Sequence, residues 1–177
     1  MSIIQHWGDW GFALAPWAGP GHWHDPDMLL IGNNCITEDE ERTQMAIWAI
    51  SAAPLIMGND PRNVSAASKA ILTNTHAIAV DQDPLGQMGV RLDGSATPTQ
   101  RWARTLANGD VAVALFNMGN GTGAAADITI AFADVNMVGS VSVFDIWQQQ
   151  SAGSFTGSYT AKAVPFHGTA FVRLSQA

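Results

Sequence analysis

Residues 38–53 place Met45, Trp48, Ala49 and Ala52 at the i, i+3, i+4, i+7 spacing of one buried helical face. Thr37 and Glu40 frame its start as a capping box, the hydroxyl taking an orphan N–H and the carboxylate reaching back. Glu38, Asp39, Glu40 and Glu41 crowd the first turn, where the helix dipole favours negative charge. Pro54 ends the helix, and Leu55-Ile56-Met57 is an apolar run of buried-strand length. Turn residues Gly58-Asn59-Asp60-Pro61 follow, and Ser65 caps a second helix over 66–72, closed near Asn74. With a strand at about 27–31, the order strand, helix, strand, helix is that of an α/β fold.

Past residue 86 the period changes to two. "DVAVALFN", "DITIAF", "VSVFDIW" and "GTAFVRL" are short runs rich in β-branched and aromatic residues, parted by Gly, Ser and Asn. This spacing predicts an antiparallel β-sandwich. The turn Asp83-Pro84-Leu85-Gly86 puts the boundary near Gly86–Val90, giving an α/β unit over 1–86 and an all-β unit over 87–177.

Charge and aromatic content divide the chain at the same place. Residues 1–85 hold ten acids against three bases, whereas 86–177 hold five of each. Five of the seven tryptophans fall within the first 48 residues. With no basic patch to neutralise phosphates, nucleic acid and anionic lipid surfaces are poor partners. One cysteine, Cys35, rules out an internal disulfide framework and a cysteine-rich zinc module. No run reaches the ~18–20 apolar residues of a membrane span.

Candidate chemistry concentrates in "AGPGHWHDPDM", residues 18–28, with two histidines, two carboxylates and a tryptophan. His22, His24, Asp25 and Asp27 are legitimate metal-ligand types, but Pro26 argues against a regular strand that would align them. Asp25 and Asp27 lie about 6.5–7 Å apart at Cα in an extended segment. That suits the carboxyl pair of a glycosidase, except that such a pair normally comes from two elements flanking the sugar. The third reading is structural: Asp25 braces a loop, Pro26 sets its direction and Trp23 is core. The position favours a site, because a Gly-rich loop here meets a strand followed by a helix.

"AGPGHWHDPDMLLIGN", "ERTQMAIWAISAAPLIMGNDPRNVS" and "ILTNTHAIAVDQDPLG", in order over about residues 18–89, resemble glycoside hydrolase family 27, the α-galactosidases or melibiases. One departure is His24, where the family usually has asparagine. The resemblance implies the C-terminal portion of a (β/α)8 barrel followed by an antiparallel β-sandwich. It aligns "SIIQHW" with the sixth barrel helix, 25–31 and 54–58 with the last two strands, and 38–53 and 65–74 with the last two helices. The family's nucleophile stands in a Lys-x-Asp motif and its acid/base in an Arg-x-x-x-Asp motif, and neither occurs ahead of the Gly-Pro-Gly block.

By resemblance, Asp27 and Met28 line the sugar pocket, while Trp23, His24 and Asp25 support them from behind, and no catalytic residue, metal or cofactor is implied within the chain. The expected function is that of a retaining α-galactosidase acting on terminal α-linked galactosides, with this chain inactive by itself. The alternative is a non-catalytic carbohydrate-binding or β-sandwich interaction protein that keeps a barrel remnant. Open strand edges further predict that residues 1–85 are poorly ordered alone while the sandwich folds. Asn63-Val64-Ser65 and Asn120-Gly121-Thr122 fit the N-glycosylation pattern. Asp81 and Asp83 read as bracing between the two halves.

Overall fold

The computed structural model describes residues 2–93, 97–119 and 123–176. The second glycosylation pattern, 120–122, lies outside them. Four helices come first: α1 (Ser2–Leu14), α2 (Glu38–Ile50), α3 (Ala66–Leu72) and α4 (Thr75–Asp81). Eight strands follow: β1 (Val90–Arg91), β2 (Thr99–Thr105), β3 (Val111–Asn117), β4 (Ala126–Ala131), β5 (Ser140–Asp145), β6 (Gln150–Thr156), β7 (Ser158–Val164) and β8 (Thr169–Gln176). A six-stranded sheet has the order β1-β2-β3-β8-β5-β6, and β4 pairs with β7 in a second sheet. Every pairing between these strands is antiparallel.

Strand β3 explains how the halves join. All seven of its residues are buried, because both faces of the sheet are covered. Ala112, Ala114 and Phe116 pack with α2 and α4, together with Trp102, Ile146 and Phe171. The alternate residues Val111, Val113 and Leu115 face β4 and β7, with Ile128, Ile130 and Val172. The molecule is therefore three layers: helices, large sheet, small sheet. Helices α2 and α4 thus share one core with the large sheet.

Helix α2 follows the pattern at its start, with both arms of the Thr37/Glu40 capping box formed. Its burial is wider than one stripe: every residue from Thr43 to Ile50 is buried, because the helix sits between the sheet and the segment around Leu29. Asn74 does not simply close the preceding helix. Its Oδ1 accepts from His76 N and Ala77 N, each at 3.0 Å, and so starts α4.

The two strands predicted at 27–31 and 54–58 are reduced to one parallel bridge, Leu29 to Met57. Leu29 and Ile31 are buried beneath α2, but Met28, Leu30, Ile56 and Met57 are exposed. A parallel pair needs cover on both faces and partners on both edges to extend. Here one face is open. On one edge the α2 side chains substitute for a strand: Gln44 Oε1 accepts from Leu30 N at 2.8 Å, and Trp48 Nε1 donates to Asp27 O at 2.9 Å.

Candidate functional site

The Gly-Pro-Gly start is a tight turn. Gly19 and His22 exchange two backbone hydrogen bonds of 2.9 Å across Pro20-Gly21, and Gly21 has φ +87°. Proline at the second turn position and a left-handed glycine at the third are what a type II turn requires. The chain then runs extended through the acidic block. Asp25 accepts from Asp27 N at 2.9 Å, and Asp27 Oδ1 accepts from Met28 N at 2.7 Å. Asp27 holds φ +87°, a left-handed conformation that is costly for a residue with a Cβ. Three contacts keep it there: Asp25 on its N–H, Trp48 on its carbonyl, and its own carboxylate on the next N–H.

These residues face two different spaces. Asp25, Pro26 and Asp27 form one wall of an open groove of about 620 Å³, whose other wall is α1 with His6, Trp7 and Trp10. Trp10 is 62% exposed, so an indole face stands opposite two carboxylates. His24 lies behind this wall, its Nε2 at 2.9 Å from Leu14 O and its ring edge-on to Trp7. Trp7 in turn donates to Ser51 Oγ at 2.8 Å. Met28 is exposed on the uncovered face rather than in the groove.

Trp23 turns the other way. It is 43% exposed and lines a cavity of about 310 Å³ with Pro20, Pro54, Asp81 and Gly86, so it is not core. A Cβ on Gly86 would lie 2.8 Å from Pro20 Cγ and 3.1 Å from Trp23 Cη2, and its φ is +62°. Glycine there lets the chain between the halves press against the Gly-Pro-Gly loop. Asp81 is buried, and burial pushes its carboxyl up to about 6. Arg104 of β2, also buried, donates to Ala49 O at 2.7 Å and Asp81 O at 3.1 Å, and burial lowers its pKa. Asp83 accepts from Ala107 N at 3.0 Å. The Asp81 carbonyl and the Asp83 carboxylate thus link the end of α4 to β2 and the loop after it, the bracing expected from their place between the two halves.

Sequence reasoning missed Gln44 and Trp48 as the groups that hold the acidic block. The 3.6-residue period had marked Trp48 only as a core position. Among the described residues no cluster of three or more His, Cys, Asp or Glu side chains is arranged to hold a metal ion.

Residues 1–83 match the family described as Alpha galactosidase A, and residues 96–174 match the Alpha galactosidase C-terminal beta sandwich domain. The chain belongs to the family 27 α-galactosidases. Within that family it is 37% identical over 171 residues to an α-galactosidase of Oryza sativa subsp. japonica, covering 92% of this chain and 40% of the rice protein. It is 43% identical over 121 residues to an α-N-acetylgalactosaminidase of Gallus gallus, covering 66% of this chain and 29% of that protein. Its fold superposes on the crystal structure of α-galactosidase I from Mortierella vinacea with a TM-score of 0.86 at 32% identity, covering 93% of this chain and 42% of the fungal one. The chain thus spans about two-fifths of the length of the rice and Mortierella relatives. The helices and acidic block are a barrel remnant, and the strands are the family's β-sandwich.

Proposed function

We propose that residues 1–86 form one wall of an α-galactosidase sugar site, carried on the sandwich of residues 87–177. The observation that carries this is the conformation of Asp27: a strained, solvent-facing carboxylate held by three separate contacts. Backbone strain maintained in this way is characteristic of ligand-contacting positions. Asp27 accepts hydrogen bonds from sugar hydroxyls and Met28 supplies an apolar surface on the open face adjoining it, while Asp25 and His24 brace the segment from the groove side and Trp23 from the seam. Asp25 and Asp27 do not act as nucleophile and acid/base. One oxygen of each accepts from a neighbouring N–H group, and both residues stand on the same wall instead of on opposite sides of a bound ring. In a retaining glycosidase one carboxyl group attacks the anomeric carbon while a second, about 5–5.5 Å away, protonates the leaving oxygen. Both come from outside this chain in the complete enzyme, and the substrate is a terminal α-linked galactoside. This wall then serves to position the ring, which matters because small misplacements cost large factors in rate.

The groove facing Trp10 supports a second reading, a sugar-binding surface without catalysis, since an exposed indole opposite carboxylates suits stacking with hydroxyl recognition. Two measurements on the isolated chain separate these readings from catalysis within the chain. No turnover of 4-nitrophenyl α-galactoside is expected, and any robust turnover overturns the assignment of catalysis to other residues. Galactose titrated against tryptophan fluorescence should give a weak, saturable change that Asp27→Ala abolishes. A response unchanged in that variant removes Asp27 from the site and leaves only the indole surface.

A further inference from the structure

The cavity at the seam between helices and sheet carries a group that neither the sugar wall nor the core uses. Its volume of about 310 Å³ lies between the Gly-Pro-Gly loop, the chain leaving α2 and the turn after α4, with Trp23 and Asp81 in its wall. Asp81 is 7% exposed, and its Oδ1 has no hydrogen-bond partner among the described residues. Its Oδ2 accepts from Gln82 Nε2 at 2.5 Å, a contact made by an exposed side chain. Buried acceptors are nearly always paired, so an unpartnered carboxylate oxygen calls for an explanation. The neighbouring charges do not supply it. Arg104 of β2 attracts the carboxylate, but its Nη1 is directed to the Ala49 and Asp81 carbonyls and it does not line the cavity. Asp83 is already engaged, its Oδ1 accepting from Leu85 N and Ala107 N, each at 3.0 Å. The chain leaving α2 brings only Ala52, Ala53 and Pro54.

We propose that this cavity binds a small organic ammonium with an apolar body, its charged head on the Asp81 carboxylate and its body against Trp23. Among the described residues, two aspartates and no lysine, arginine or histidine line the cavity, so it favours positive charge. The Trp23 indole, 43% exposed, offers a face that attracts cations and apolar groups alike. Pro20, Pro54 and Pro84 make the adjoining wall apolar and stiff. Ala52 beside them holds φ +52°, a conformation that packing must maintain, so the wall is fixed before a ligand arrives. The ammonium replaces the Gln82 amide. Its three donors can serve Oδ1 and Oδ2 together, and an exposed side chain such as Gln82 changes rotamer freely. A neutral ligand leaves the buried charge uncompensated, and an anion meets two carboxylates. The cavity shares no lining residue with the acidic groove, so this site is independent of the sugar wall.

The probe is phenethylamine, titrated into the full chain at pH 7.5 and followed by calorimetry and by backbone and indole NMR signals. One-to-one binding is expected, with the Trp23 and Gln82 signals moving and those of Trp10, in the acidic groove, unmoved. Phenethyl alcohol keeps the apolar body without the charge and should bind roughly tenfold more weakly or worse, while hydrocinnamate, an anion, should not bind. Asp81→Asn preserves the shape and should bring the amine down to the affinity of the alcohol. Burial pushes the Asp81 carboxyl up to about 6, so moving from pH 7.5 to pH 5 protonates it while the alkylammonium keeps its charge. Affinity for the amine should therefore fall roughly tenfold over that range in the parent chain and stay level in Asp81→Asn. Arg104 stays charged throughout and contributes equally at both ends. Equal affinity for amine and alcohol overturns the proposal, as does an Asp81→Asn isotherm that matches the parent. So does a response centred on Trp10, or no binding of the amine to a chain whose NMR spectrum is that of a folded protein.

Discussion

Asp81 shows how one side chain couples the two halves to pH. Its carboxyl is pushed up to about 6 by burial, against an ordinary value near 3.8. Folding therefore favours the protonated form. The penalty is absent below the ordinary value, grows as pH rises from about 4 to about 6, and is complete above that. Asp81→Asn keeps the shape and removes the ionisation. It should raise stability at pH 7.5 by an amount on the order of 2 kcal/mol and change it little at pH 4. Thermal melts at the two pH values check this, and an equal effect at both contradicts it. At Asp27 the backbone is the sensitive part: Asp27→Gly relieves the positive φ, so it should cost far less stability than Asp27→Val. Chemical denaturation of the two variants compares them directly.

Helix α2 carries the most consequences at the scale of elements, because each side of it holds something different. Glu41 is buried and satisfied by Gly32 N at 2.7 Å and Ser68 Oγ at 2.8 Å, which ties α2 to the loop after Ile31 and to α3. Thr43 donates to His167 O at 2.7 Å and lies 2.7 Å from Thr169 Oγ1, which ties it to β8. Glu40 serves the capping box with one oxygen and His167 Nδ1, at 2.9 Å, with the other. The Thr37 N–H above all, with the His167 contact, holds the Glu40 carboxyl below its usual range against a smaller effect of burial. The stabilisation is present above the ordinary carboxylate value and is lost as pH falls through the lowered one. Glu40→Gln should accordingly flatten the loss of stability between pH 5 and pH 3. Thr37→Ala removes the other arm of the box and should cost about 1 kcal/mol in urea denaturation.

For the whole molecule, the decisive feature is that α2 and α4 share a core with β2, β3 and β8. A single unfolding transition is expected, with α2 amides as well protected as those of β3 and the 55–57 amides exchanging rapidly. Separate transitions for helices and strands would contradict the three-layer core. Residues 87–177 expressed without the helices would expose Trp102, Phe116 and Phe171, so dye binding or aggregation is expected where the sequence pattern alone suggested an independent sandwich.

Local chemistry determined much of this protein before any packing. The capping box at Thr37, the caps at Ser65 and the Pro20-Gly21 turn depend on neighbours within four residues, so they were legible in the sequence. So were the four apolar strands and the acidic block, whose spacing also carries the family. Strands β1, β2, β6 and β7 were not legible. β2 buries Gln100 and Arg104 beside Trp102, which hides its alternation. β6 is an exposed edge of small residues with little apolar signal. Only the tertiary structure decided that Trp23 faces the seam while Asp27 faces the groove, since neighbours in an extended segment diverge in space. It alone decided that Asp81 is buried and that Gln44 and Trp48 hold the acidic block. Each of these depends on atoms brought together across tens of residues, and periodicity holds no record of such distances.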